Sequence, residues 1–318
     1  LWSAAGLDPA PSADEVRAGL GRARIAAFSL VPGLLALGGS RSITEGLRTG
    51  LSLVGDEAGE GAEPDHIRLA AAAAVFAAAL CRAADGKAPI APDANAGHAE
   101  DFLHMLRGTP ASAAEVEALN AYMVTVADHG MNASTFTARV IAATRAGAVS
   151  AIVGALCALK GPLHGGAPGP VLDMLDEIGT SENIEPWLEK ALASGERLMG
   201  FGHRVYKVRD PRADVFNKAV TILTNGNARV RFAREVEVAA LAALRKAKPG
   251  QRLDTNMEYY TAVLLEALGI PRDAVTSVFA MARIAGWTAH VTEQERVGRL
   301  IRPQSAYVGD WPEEHAAA

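Results

Sequence analysis

The stretch SAAEVEALNAYMVTV (112–126) sets a pattern that most of the chain repeats. Ser112 stands three residues ahead of Glu115. That is the spacing of a capping box, in which the hydroxyl and the carboxylate each satisfy a backbone N–H left free at a helix start. Val116, Leu119 and Met123 then follow at steps of three and four, the period of one helix face and not of a strand. Ser12 with Glu15 and Ser42 with Glu45 give the same signal, followed by Val16, Leu20 and Ala23 and by Leu47, Leu51 and Val54.

Segments 66–84, 97–107, 133–146, 149–159, 210–224, 229–246, 256–268 and 272–297 also read as helices. They lie between breaks such as Asp85-Gly86, Asn225-Gly226-Asn227, Pro249-Gly250 and Gly269-Ile270-Pro271. Sustained apolar–polar alternation is nearly absent and no internal repeat is visible. The expected fold class is all-α. A chain of 318 residues is long for one compact domain, so a large domain with a smaller one is expected.

Hydrophobic residues make up 49% and charged residues 21%, an ordinary globular balance. Aromatic residues are only 5% and the formal charge is -5, which argues against a nucleic-acid binder: stacking platforms and an attractive field are both missing. Any polyanionic ligand must be met by a local cluster of Arg and Lys. Cys81 and Cys157 sit in Ala-rich apolar stretches and read as small core residues in a reducing compartment. The longest apolar run, Leu69 to Cys81, is shorter than the ~18–20 residues that span a bilayer, and no signal peptide is evident. A cytoplasmic protein without membrane contact is expected. The chain opens at Leu1 with no initiator Met, from which an upstream native segment is expected.

Two segments interrupt the helical rhythm. KGPLHGGAPGP (160–170) is dense in Gly and Pro, and MGFGHRVYKVRDPR (199–212) carries a histidine and four cationic residues after a Gly-x-Gly. Loops on a rigid scaffold are where chemistry concentrates. By itself His164, among glycines, reads equally as a turn residue or a site residue. His203, followed by Arg204, Lys207, Arg209 and Arg212, favours an anion-binding loop over a solvated charge run. Glu258 alone reads as an ordinary first-turn acid. No His or Cys pair has metal-ligand spacing, so no metal is expected. A Walker loop and a Gly-x-Ser-x-Gly elbow are both absent.

Six segments together carry more than any one of them. ADHGMNASTFTAR (127–139), KGPLHGGAP (160–168), MGFGHRVYKVRDPRA (199–213), TNMEYY (255–260), ARIAGWTAH (282–290) and RPQSAYVG (302–309) resemble the citrate synthase family in order and spacing. The resemblance covers most of residues 95–310 and is loose over the first ninety. It implies a two-domain helical subunit, with a large domain at 1–166 and 272–318, a small one at 167–271, and the active site in the cleft.

Its substrates would be acetyl-CoA and oxaloacetate, with 2-methylcitrate synthesis from propionyl-CoA a close relative and a non-catalytic binder the rival from another class. No cofactor is implied, because the CoA thioester is a substrate. By resemblance His164 steadies the thioester oxygen, His203 polarises and protonates the ketone, and Glu258 is the base, where the family usually has Asp. His129, Arg212, Arg283 and Arg302 would hold the oxo acid, Arg302 from the partner of a homodimer. Gly200, Phe201, Gly202 and Lys207 would meet CoA.

The chemistry agrees with that set. A thioester methyl is a very weak acid, so a base and a donor to the developing enolate must act together. A dicarboxylate is best gripped by guanidinium forks. The family's β-rich opening segment is not in this sequence. Glu258 is one methylene longer than Asp, so its carboxylate must be drawn back by a shifted backbone or a folded rotamer, and slower or retuned chemistry is expected.

Overall fold

A computed structural model of the chain describes residues 1–6, 10–39, 41–57, 59–162, 164, 169–202, 211–224, 227–251 and 253–309. Fifteen α-helices run through them, and among the described residues there is no strand beyond one isolated bridge. In order they are α1 (Trp2–Ala5), α2 (Ala13–Phe28), α3 (Val31–Gly38), α4 (Ile43–Leu53), α5 (Asp65–Ala84), α6 (His98–Arg107), α7 (Ala113–Val126) and α8 (Ala133–Ala142). Then come α9 (Ala148–Leu159), α10 (Gly169–Ile178), α11 (Ile184–Ala193), α12 (Pro211–Thr224), α13 (Ala228–Ala247), α14 (Met257–Ala267) and α15 (Val275–Val297). The all-α expectation holds.

The caps explain many of the starts. Ser12 and Ser112 form complete capping boxes with Glu15 and Glu115. Ser42 forms only half of one: its hydroxyl accepts from the Glu45 N–H, while the Glu45 carboxylate is drawn away to Arg48 and Lys160. Charge–charge attraction has won over the neutral cap. Helix 133–146 ends early, at Ala142, because Thr144 and Arg145 bond back three residues and Arg145 takes a left-handed φ of 61°. The Gly- and Pro-rich segment 160–170 gives up Gly169 and Pro170 to α10, Pro being compatible with a first helical turn. Helices α1, α3, α10 and α11 were not marked by the sequence patterns.

Helix α5 is the axis of the core. It is buried without interruption from Leu69 to Cys81, and its alanines let α2, α4, α6 and α15 approach closely. By length and composition alone it could cross a membrane, but here its apolar surface is consumed by neighbouring helices. One buried ion pair braces this region: Arg24 on α2 meets Asp101 on α6 at 2.6 Å and also donates to the carbonyls of Asp93 and Ala96.

The parts that position the site are α7, α8, α9 and α15 on one side and α12 and α14 on the other. Helix α15 packs on α5, α7, α8 and α9, and α12 packs on both α7 and α14. At Gly286 an added Cβ would lie 2.0 Å from the Ala127 carbonyl oxygen. Only glycine allows α15 to lie so close to the end of α7, and residues 126–129 are held against Arg283 and His290 as a result.

Candidate active site

His129, His164, Arg212, Glu258 and Arg283 line one cleft, of about 240 Å³. They come from five separate places in the sequence. The cleft also takes Tyr122, Asn132, Asn256, Thr261 and Phe279 among its walls.

His164 is fixed by the start of α8. Asn132 caps that helix, its side-chain oxygen accepting from the Thr135 N–H and lying 2.8 Å from the Ser134 hydroxyl. The Ser134 N–H donates to His164 Nε2 at 3.2 Å, and the Ser134 hydroxyl lies 2.8 Å from the same nitrogen. A nitrogen that accepts a backbone N–H bears no proton, so the neutral ring carries its proton on Nδ1. Trp287 Nε1 donates to the Ser134 hydroxyl at 3.2 Å and locks the arrangement from α15. Burial, and secondarily the Arg283 charge, hold His164 below the ordinary imidazole value. The positive end of α8 acts in the same direction. His164 is therefore a neutral donor at neutral pH.

Arg283 is nearly fully buried on α15 and donates through Nε to the Val126 carbonyl. Its guanidinium lies 4.8 Å from the Phe279 ring centroid, one helical turn away. Burial is the main force lowering its pKa, to about 10, with Arg212 adding to it and Asp128 opposing. It stays charged at neutral pH, and a buried guanidinium facing a second one is an environment that an anion stabilises. Asp128 is held as a carboxylate: against the effect of burial, the Gly130 N–H and the His290 ring keep its pKa low. His290 Nε2 faces Asp128 at 3.1 Å and its Nδ1 faces Arg139 at 2.9 Å, so it is a satisfied structural histidine.

Glu258 is on the opposite wall, at the second residue of α14, and exposed to the cleft. Asn256 caps α14 through the Glu258 N–H at 2.9 Å. The turn before it is pinned to residues 200–202 by the Phe201–Thr255 bridge and by the Gly202 N–H to Asp254 and Asn256 N–H to Gly200 bonds, both 2.9 Å. Asn256 Nδ2 donates to the Gly202 carbonyl. Gly200 has a φ of 86°, and a Cβ there would meet the Tyr259 side chain at 2.8 Å, so glycine is required. Gly200, Phe201 and Gly202 are thus tied to the turn that carries Glu258. His203 and Lys207 lie outside the described residues.

A second cavity, of about 370 Å³, opens against Phe201 and Gly202 and includes Arg197 and Lys248. Arg302 is not in the cleft: it is exposed beyond α15, beside Gln294 and Leu300. Sequence reasoning missed Tyr122, Asn132 and Thr261. Asn132 could have been found as the residue before a helix start, and Phe279 from its spacing of four to Arg283.

The family model for "Citrate synthase, C-terminal domain" matches residues 9–304. A Mycobacterium bovis relative is 46% identical over 211 residues, 66% of this chain and 56% of its own length, so the chain spans little more than half of that relative. Citrate synthase 2 of Bacillus subtilis is 41% identical over 271 residues, covering 83% of this chain and 72% of that one. The solved citrate synthase of Thermoplasma acidophilum, a ternary complex with carboxymethyl coenzyme A and oxaloacetate, superposes with a TM-score of 0.78 at 27% identity, over 95% of this chain and 83% of that chain. The chain belongs to the citrate synthase family.

Proposed function

We propose that the chain is a citrate synthase, condensing acetyl-CoA with oxaloacetate and water to give citrate and CoA. The observation that carries this reading is the meeting, in one cleft, of a neutral Nδ1–H donor on His164, a carboxylate on Glu258 and the two arginines Arg212 and Arg283.

In the proposed reaction Arg212, Arg283 and His129 hold the carboxylates of oxaloacetate, and Arg302 adds a further grip from the partner of a homodimer. Glu258 takes a proton from the acetyl methyl group. His164 Nδ1–H donates to the thioester oxygen as negative charge develops there, and the donor is already oriented by Ser134 and Trp287, so little reorganisation is required. The enol carbon attacks the ketone of oxaloacetate, whose oxygen takes a proton from His203. Water then cleaves the thioester and releases CoA. Phe201 and Gly202 border a cavity that reaches Arg197 and Lys248, which supports CoA on that side, with Lys207 as a further phosphate partner.

We assign residues 167–271 to a small domain that closes over the cleft once oxaloacetate is bound, excluding water from the thioester until condensation has occurred. We place the protein in the cytoplasm and give it no metal or cofactor. The test is thiol release with oxaloacetate, run in parallel with acetyl-CoA and propionyl-CoA. A preference for acetyl-CoA supports the proposal. Because one methylene alters specificity by only ~1–3 kcal/mol, a preference for propionyl-CoA would move the assignment to 2-methylcitrate synthesis with the same residues. Oxaloacetate binding without thiol release from either would make the chain a binding protein.

A further inference from the structure

Behind the Glu258 turn, on the side away from the cleft, lies a buried carboxylate that the reaction above does not use. Glu237 on α13 is 7% exposed. One of its oxygens, Oε1, accepts from the Thr255 hydroxyl at 2.8 Å and from the Tyr260 hydroxyl. Thr255 and Tyr260 bracket Glu258, three residues before it and two after. The other oxygen, Oε2, faces Arg234 Nη1 at 3.2 Å. Arg234 extends the cluster to α12, donating to the Asn217 carbonyl at 2.9 Å and the Thr221 hydroxyl at 2.7 Å, and its guanidinium stacks over the Tyr260 ring. Helix α12 has Arg212 in its first turn.

A carboxylate is an expensive way to fill this position. Apolar residues of similar volume often stabilise a core as well or better, because ions lose their hydration on burial. What a paired carboxylate adds is direction. Its lone pairs hold two hydroxyls at fixed points on either side of one residue, and its charge holds the cation that reaches the neighbouring helix. At the front the turn is pinned to residues 200–202, and the back anchor adds to that constraint on residue 258. The constraint matters more for this chain than for one with Asp as base. A longer side chain reaches the correct point only if the backbone beneath it is displaced by the correct amount.

We infer that Glu237 is a positioning residue for the base: by holding Thr255 and Tyr260 it sets the height of the 255–260 turn, and with it the reach of the Glu258 carboxylate. This rests on the proposed role of Glu258. Since a displacement of about 1 Å can lower a rate about 100-fold, losing the anchor is expected to appear in kcat.

The experiment measures thiol release at saturating oxaloacetate and acetyl-CoA for the wild-type chain and for Glu237→Ala, Glu237→Gln, Thr255→Val and Tyr260→Phe. Gln keeps an acceptor for the two hydroxyls at Oε1 and loses the charge and the acceptor that faces Arg234. Expected are a fall in kcat of roughly 100-fold for Glu237→Ala, about 10-fold for each single-hydroxyl variant and under threefold for Glu237→Gln, with KM for oxaloacetate within twofold throughout. A purely structural role would reduce the folded fraction and leave kcat per folded molecule unchanged. If Glu237→Ala does not fold, Thr255→Val and Tyr260→Phe decide the matter, being nearly isosteric. An active wild-type chain whose folded variants keep kcat within threefold overturns the inference alone. A wild-type chain without thiol release overturns the proposed role of Glu258, and the inference falls with it.

Discussion

The two walls of the cleft are built on opposite plans. On the α7–α8–α15 wall the functional groups are part of the core: Arg283 is buried, His164 is held by Ser134, and Trp287, itself buried, ties that serine to α15. On the α12–α14 wall Glu258 is the exposed residue of a first turn whose neighbours Thr255, Asn256, Tyr259 and Tyr260 are buried, and whose place is set by contacts to residues 200–202 and to Glu237. The first wall presents a donor and a cation whose geometry cannot relax without disturbing the fold. The second presents a base whose side chain is free and whose backbone is pinned. A change to the Glu258 side chain should therefore alter rate with little loss of stability, whereas changes on the first wall should alter both.

The strongest test of that contrast is Glu258→Gln. Removing a general base costs 10²–10⁴-fold, and about 10³-fold in kcat is expected here. The variant should melt at the wild-type temperature and bind oxaloacetate within threefold of wild type, by calorimetry. A variant that loses oxaloacetate binding as well would mean that Glu258 belongs to the binding wall and that the division is wrong.

Gly286→Ala tests the first wall from behind. Alanine is about 1 kcal/mol better than glycine in a helix, but its Cβ would be driven to 2.0 Å from the Ala127 carbonyl. Overpacking of that kind costs about 1–3 kcal/mol, so a net loss of stability is expected. As residues 127–129 are pushed aside, oxaloacetate affinity should fall about tenfold, because His129 and the Val126 carbonyl that orients Arg283 move with them. A variant as stable as wild type, with unchanged affinity, would show that this wall yields more readily than its packing implies.

How much of this could be read in the residues depends on how local the physics is. The helix starts at Ser12 and Ser112 were legible because both partners of each cap lie within four residues. Helix α3 was not, because VPGLLALG is apolar all round and carries no polar N-cap side chain. The half-formed cap at Ser42 depended on Lys160, which lies 115 residues beyond Glu45. At the site, the types of residue were legible from the six motifs and the roles from the family resemblance. The tautomer of His164 was not, since it is decided by the Ser134 N–H thirty residues earlier, with the Ser134 hydroxyl held by Trp287 further off still. The anchoring of Glu258 by Glu237 also joins residues from separate helices, and nothing in AREVEVAA (233–240) sets that glutamate apart from a solvated one.

Ser134→Ala offers a smaller and more specific perturbation. It removes the hydroxyl that Trp287 and Asn132 share but leaves the backbone N–H that decides the tautomer. A neutral hydrogen bond contributes about 0.5–1.5 kcal/mol, so kcat should fall roughly 2–10-fold with no change in the pH profile. A fall of several hundred-fold would mean that the hydroxyl, and not the N–H, controls the ring.

The smallest effect expected concerns the protonation of His164 itself. Its pKa in the folded chain lies below 6.5, burial being the first cause and the Arg283 charge the second. A histidine depressed in the fold binds its proton more readily when unfolded, so it contributes no penalty above pH 6.5 and an increasing one as the pH falls below that value. An NMR titration of the ring should therefore give a midpoint below the ordinary imidazole value, and Arg283→Met should move it upward by removing the cation while keeping an apolar side chain. Oxaloacetate, by bringing negative charge beside Arg283, should move it in the same direction. A midpoint at or above 6.5 in the unliganded protein would mean that the core wall does not hold its histidine neutral. The donor role would then require a charged ring, and the two walls would differ in rigidity alone.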